Sequence, residues 1–338
     1  MFQTEKEMLE GAEAFRAFEL DETKALAEEI GGKMVIFAGM GSSVLFPAKN
    51  AKSRAFELGI KNKIEAFFAS ELLGYKKFQD TYFILLSNSG MTKETILLLN
   101  HLKKTKTKFA AVTAVADSIL AKKSGNKIIM GCGFESGVAA TKSVMEQALI
   151  LDSLILNIAK EQGIKTNFRK LKKSFINTSK EILFNINIQL PEFMLEALSK
   201  ADSMYFAGMD TGVCDEIALK THEIARKNAY FYPDTHIVHG IEESIESNPI
   251  ILFEPSKFKN FINDFKSFSE RTGCGLFGVD SRDNSGVDTV KIKSNRIFNN
   301  YCLLAGGWGV LRNVANELKV DMDRPKKAVK VGNPYKGK

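Results

Sequence analysis

The residue types best suited to chemistry stand together in Ser87-Asn88-Ser89-Gly90-Met91-Thr92. The apolar run Tyr82-Phe83-Ile84-Leu85-Leu86 precedes them, and Ile96-Leu97-Leu98-Leu99 resumes afterwards at helical spacing. A strand that stops in a small polar turn and opens a helix offers free backbone N–H groups, aligned hydroxyls and the positive end of a helix dipole. Those are the parts that hold a phosphate. Gly90 lets the backbone approach an anion with no Cβ in the way. Ser and Thr here also serve as ordinary helix caps, so the pattern alone leaves both roles open. The spacing is neither a Walker loop nor a dinucleotide fingerprint.

A second concentration of reactive types lies further on. Three of the four histidines, His222, His236 and His239, fall within 18 residues. Lys220 and Glu223 stand three apart on a predicted helix, so their side chains share a face. The same spacing also makes plain surface ion pairs. His239 lies in a polar turn before Gly240, where an imidazole with an unperturbed pKa near about 6.5 is a ready proton donor and acceptor. Cys132, Cys214, Cys274 and Cys302 form no close pair. That spacing argues against a zinc site or disulfide framework and suits a reducing cytoplasm, the expected location. No His/Cys/carboxylate cluster has ligand spacing, so neither metal nor cofactor is expected.

The elements that must position these residues alternate in type. Residues 4–30 read as helix, ending at Gly31-Gly32. Strands are expected at 33–38, 63–68, 82–86, 108–114 and 127–130, with helices between them and a long apolar helix over 138–162. Strands alternating with helices predict a parallel, doubly wound α/β sheet. The chain then repeats itself: Phe37-Ala38-Gly39-Met40 recurs 169 residues later as Phe206-Ala207-Gly208-Met209. Later strands are expected at 229–232, 250–253, 275–279 and 289–292. The expected organisation is a first domain over 1–165, a helical linker over 166–189 and a second domain over 190–338. Phe253-Glu254-Pro255-Ser256 stands where the first copy has its serine turn, so the second copy lacks a phosphate loop. One composite site is therefore expected.

Composition narrows the partners. With 338 residues, 44% hydrophobic and 26% charged, the chain has the make-up of an ordinary soluble protein with two cores. The net charge of +7 is spread over the chain and fits anionic small substrates as well as nucleic acid. Its basic runs are not interleaved with aromatics, so no nucleic-acid partner is expected. No apolar run approaches membrane-spanning length, and no membrane partner is expected.

These pieces together resemble the tandem sugar isomerase (SIS) family over nearly the whole chain. Gly39-Met40-Gly41-Ser42-Ser43 is similar to the family's first phosphosugar turn, and Ser87-Asn88-Ser89-Gly90-x-Thr92 to its second. Glu135-x-Gly137-Val138-Ala139-x-Thr141-Lys142 resembles the loop after the first domain's last strand. Ala218-Leu219-Lys220-x-x-Glu223-Ile224, followed by His239-Gly240, resembles the catalytic segment of the isomerase half of glucosamine-6-phosphate synthase. Asp323-Arg324-Pro325 with Lys330-Val331 resembles that enzyme's C-terminal loop. Ile241 and Ala140 depart from the pattern, where proline and serine are usual, and eight residues follow Lys330. Ser42-Ser43-x-x-x-Pro47-x-Lys49 and Glu243 look more like fructosamine-6-phosphate deglycases.

The resemblance implies two flavodoxin-like three-layer α/β/α domains and a phosphosugar aldose–ketose chemistry. It implies that Glu223 moves a proton between C1 and C2, with Lys220 beside it, and that His239 serves ring opening. Lys330 is implied as a Schiff-base or charge-stabilising lysine, with Glu135 a second carboxylate facing the sugar. Ser43, Ser87, Asn88, Ser89 and Thr92 are implied to hold the 6-phosphate, and Ser42, Val138 and Ala139 to line the sugar. Glucosamine-6-phosphate deaminase and fructosamine-6-phosphate deglycase are the activities implied. An ammonia-using isomerase domain and a non-catalytic sugar-phosphate sensor are the alternatives. Met1-Phe2-Gln3 leads straight into the first helix and the first cysteine is Cys132, so no glutamine hydrolysis by this chain is expected. Resembling enzymes complete their site across a homodimer, which is expected here too.

Overall fold

A computed structural model describes residues 1–282 and 286–337. The chain divides into two compact units, one formed by Glu13–Lys172 with Lys326–Lys338, the other by Met1–Ala12 with Lys173–Pro325. The units are not contiguous in sequence. The tail beyond Pro325 packs with the first half of the chain, and the first twelve residues pack with the second.

The unit built on Glu13–Lys172 holds a sheet of five strands, β1 (Met34–Gly39), β2 (Ile64–Phe68), β3 (Thr81–Leu86), β4 (Lys108–Thr113) and β5 (Asn126–Ile129). All pair in parallel, in the order β2-β1-β3-β4-β5. β3 is buried along its whole length, as a central strand covered on both faces must be, and its sequence is accordingly apolar without alternation. Phe83 and Leu85 pack with Leu98, Leu99 and Leu102 of the following helix, Lys93–Lys104. The order reverses between β1 and β3. In open parallel sheets the crevice at such a reversal, at the carboxyl ends of the strands, is where ligands bind. The turns after β1 and β3, Met40–Ser43 and Ser87–Thr92, are the two at this crevice. The long apolar helix begins at Lys142 rather than near 138, because the residues before it form a loop pinned by two carboxylates. Glu146 accepts from the Gly131 and Cys132 amides at 2.6 Å each, and Glu135 accepts from the Thr141 and Ser143 amides.

The second unit repeats the plan with β6 (Ser203–Gly208), β7 (Asn228–Pro233), β8 (Ile250–Phe253), β9 (Leu276–Asp280) and β10 (Asp288–Lys291). Their parallel order, β10-β9-β8-β6-β7, is the same winding as the first sheet. The buried helix Asn299–Glu317 packs beside Val213–Lys220. Asp323, part of the family-like tail motif, caps the helix Gln3–Ala17 by accepting from the amides of Gln3 at 2.6 Å and Thr4 at 2.8 Å. No helix among the described residues is long and apolar enough to cross a membrane.

Candidate functional site

In the first unit the predicted phosphate residues gather at the carboxyl end of β3. Ser87 is buried, and its hydroxyl lies 2.9 Å from that of Thr92 while accepting from the Gly90 amide at 3.1 Å. Ser89 accepts from the Met91 amide at 3.2 Å. Gly90 sits at φ +61°, and a Cβ there would fall 2.1 Å from the Ser118 hydroxyl. Only glycine fits this turn, on both grounds. Thr92 stands at the N-cap of Lys93–Lys104 without using its side chain as a cap. Ser42 and Ser43 open the helix Ser42–Leu58 after β1.

The chain after Lys330 runs against this turn. Asn333 accepts from the Lys93 amide at 3.0 Å, Tyr335 donates to Met91 at 2.8 Å, and Thr92 pairs with Pro334 in an antiparallel bridge. Lys330 donates to the Gly137 carbonyl and lies 3.8 Å from Glu135. Glu135 is fully buried. It accepts from the Thr141 amide at 2.7 Å, from the Ser143 amide and hydroxyl, and from the Asn88 amide nitrogen at 3.1 Å. Val138 is half-buried and Ala139 buried in the same loop. The serine turn, the Glu135 loop and Lys330 are thus one bonded cluster.

In the second unit the helix Val213–Lys220 passes into a π-helical turn, Thr221–Ala225, a form that recurs at functional sites. Lys220 is wholly buried between two carboxylates, 2.8 Å from Glu216 and 2.8 Å from Glu223. Burial works against its charge, but the two carboxylates outweigh that and raise its pKa above the ordinary lysine value. Lys220 is therefore a fixed ammonium. Glu216 is fully buried, whereas the Glu223 side chain is 24% exposed, so one carboxylate holds the lysine and the other can meet a ligand. Glu216 was not among the residues expected from sequence, although its i, i+4 spacing to Lys220 in an apolar helix is a usable signal.

His239 belongs to the same unit. It is exposed, with His236 exposed just before it, and it lines a cavity of about 360 Å³ with Thr235, Phe261, Asp264 and Arg271. The described residues contain no group of three or more His, Cys, Asp and Glu able to hold a metal.

Two parallel α/β sheets wound alike define the class to which known proteins can be compared. Residues 31–157 match the SIS domain family. Over 241 residues it is 29% identical to the glutamine–fructose-6-phosphate aminotransferase [isomerizing] of Clostridium perfringens, covering 67% of this chain. The chain spans 38% of that relative's length. Among solved structures it is similar to the C-terminal domain of glucosamine-fructose-6-phosphate aminotransferase from Francisella tularensis. There the TM-score is 0.79 at 21% identity, covering 96% of this chain and 98% of the other. Glucosamine-6-phosphate deaminase from Thermotoga maritima gives 0.75 at 20% identity, covering 97% and 99%. At such identities the likeness is one of fold.

Proposed function

We propose that the protein is an enzyme acting on a 6-phosphorylated amino sugar or fructosamine, releasing or adding its amine by aldose–ketose isomerase chemistry. The observation that carries this reading is Lys220, buried as an ammonium against a partly exposed Glu223. A sensor that only binds sugar phosphates has no use for a buried charged pair beside an accessible base. The names of the relatives, which concern fructose 6-phosphate and glucosamine 6-phosphate, support the substrate class.

In this reading Glu223 takes the proton from one sugar carbon and returns it to the next. Carboxylates suit such shuttling when partly desolvated. Lys220 stabilises the charge that develops on the neighbouring oxygen as the enediol or enolamine forms. Glu216 keeps Lys220 charged and in place. His239 exchanges the ring-oxygen proton as the cyclic sugar opens. The hydroxyls and backbone amides of the Ser87–Thr92 turn, with Ser43, hold the phosphate, and Ser42, Val138 and Ala139 border the sugar. Lys330 adds positive charge beside the Glu135 loop. A homodimer is the proposed assembly, and light scattering at assay concentration tests it: an active monomer would refute it.

The test of function is to incubate the protein separately with glucosamine 6-phosphate and fructoselysine 6-phosphate, following hexose phosphate and free amine. Release from either identifies the substrate. A parallel incubation of fructose 6-phosphate with ammonia reads the opposite direction. Absence of turnover in all three, with tight phosphosugar binding retained, would overturn the enzymatic reading in favour of a sensor.

A further inference from the structure

Asn88 presents an unusual acceptor. Its amide nitrogen donates to Glu135, which fixes the orientation, since a carboxylate can only accept. The carbonyl oxygen, Oδ1, therefore points the other way. It is buried and has no hydrogen-bond partner among the described residues. A buried carbonyl left unpaired is disfavoured by the desolvation of the group, so such an atom in a ligand turn calls for a donor. A phosphate cannot be that donor, because at neutral pH its exposed oxygens chiefly accept.

Glu135 is placed to hold Asn88 rather than to move protons. Its two oxygens already receive donors from Thr141, Ser143 and Asn88, with Lys330 at 3.8 Å. A carboxylate so fully engaged is a positioning group.

Resting on the phosphosugar reading above, we propose that Asn88, oriented by Glu135, reads a donor on the sugar itself, an O–H or N–H of the substrate, through Oδ1. The serine turn then recognises two things at once. Its hydroxyls take the phosphate, and its asparagine tests for a sugar attached to it.

The experiment is calorimetric binding of inorganic phosphate, fructose 6-phosphate and glucosamine 6-phosphate to the wild type, Asn88→Leu, Glu135→Gln and the double variant. Both single variants should bind the sugar phosphates about tenfold more weakly, the worth of roughly one hydrogen bond. Inorganic phosphate should bind within about twofold of wild type, and the double variant should be no weaker than either single one, as expected for residues acting in series. Equal losses for the two sugars assign a hydroxyl to Asn88, and a loss confined to glucosamine 6-phosphate assigns the amine. Asn88→Leu leaves Glu135 its donors from Thr141 and Ser143, so it tests the proposal even where Glu135→Gln fails to fold. Parallel weakening of phosphate and sugar phosphates, or unchanged sugar-phosphate binding, would overturn it. Failure of the wild type to bind either sugar phosphate would instead sink the phosphosugar reading, and this inference with it.

Discussion

Replacing Lys220 by methionine is the sharpest test of the buried charge cluster. Methionine has a similar length, so little cavity is opened, and the main effect is electrostatic. Glu216 is fully buried with its lysine partner at 2.8 Å. Removing one member of a buried pair leaves an uncompensated charge, which typically destabilises by about 3–5 kcal/mol. Glu223 contributes little to that loss because it is partly exposed. Replacing Glu216 by methionine as well turns the pair into apolar packing and should recover most of the stability, while activity stays lost. The assay is urea unfolding followed by the emission of Trp308, the chain's one tryptophan, which is fully buried in the same unit. pH supplies an independent arm. In wild type the folded pKa of Lys220 is raised, so its contribution is complete below about 10.4 and declines as pH climbs through the folded value. A single-variant loss below about 1 kcal/mol, or no recovery in the double variant, would refute the argument.

Glu223→Gln should lower kcat by about 10²–10⁴-fold while phosphosugar binding persists, and solvent deuterium should no longer enter the sugar. Exchange at the wild-type rate in that variant would assign the base elsewhere. Ser89→Ala with Thr92→Ala should raise KM by about tenfold or more, since hydrogen bonds to a charged group are worth about 1.5–3 kcal/mol each; unchanged affinity by calorimetry would remove these residues from the phosphate site. Gly90→Ala should destabilise by at least about 2 kcal/mol, through the left-handed backbone and the contact with Ser118, read as a lower urea midpoint.

The sheet was legible because parallel strands buried on both faces write themselves as plain apolar runs. Tyr82–Leu86 and Ile250–Phe253 are such runs, and the repeated Phe-Ala-Gly-Met marks equivalent strand ends. The helix Asn299–Glu317 went unread for a physical reason. Its Gly306, Gly307 and Gly309 look like helix breakers, yet at Gly309 a Cβ would fall 2.3 Å from the Asn185 carbonyl. Close packing, which local sequence does not display, selects glycine there. The site was legible as residue types and not as a network. Ser87 and Thr92 stand near each other in sequence, but Glu135 with Asn88 and Lys330 with Gly137 are long-range pairs. The same holds for Pro334, whose pairing with Thr92 no spacing rule announces.

The two sheets are wound alike, but their equivalent turns differ in sign. Where Ser87 follows β3, Glu254 follows β8, a buried residue at φ +54° whose carboxylate is held by Asn299 at 2.8 Å and Lys257 at 2.6 Å. A phosphate about 4 Å from that carboxylate would meet a repulsion of roughly 4 kcal/mol per unit charge at an effective dielectric near 20. Asp280, buried at the end of β9, goes further. It accepts from the Ser256 amide at 2.9 Å and the Arg282 amide at 2.9 Å. Turn amides at the carboxyl ends of strands are the groups a phosphate takes in such folds. With a carboxylate of the chain already on these two amides, neither is open to a bound anion. The acidic residues of the second unit thus stand where the proposed phosphate site has serine, glycine and threonine.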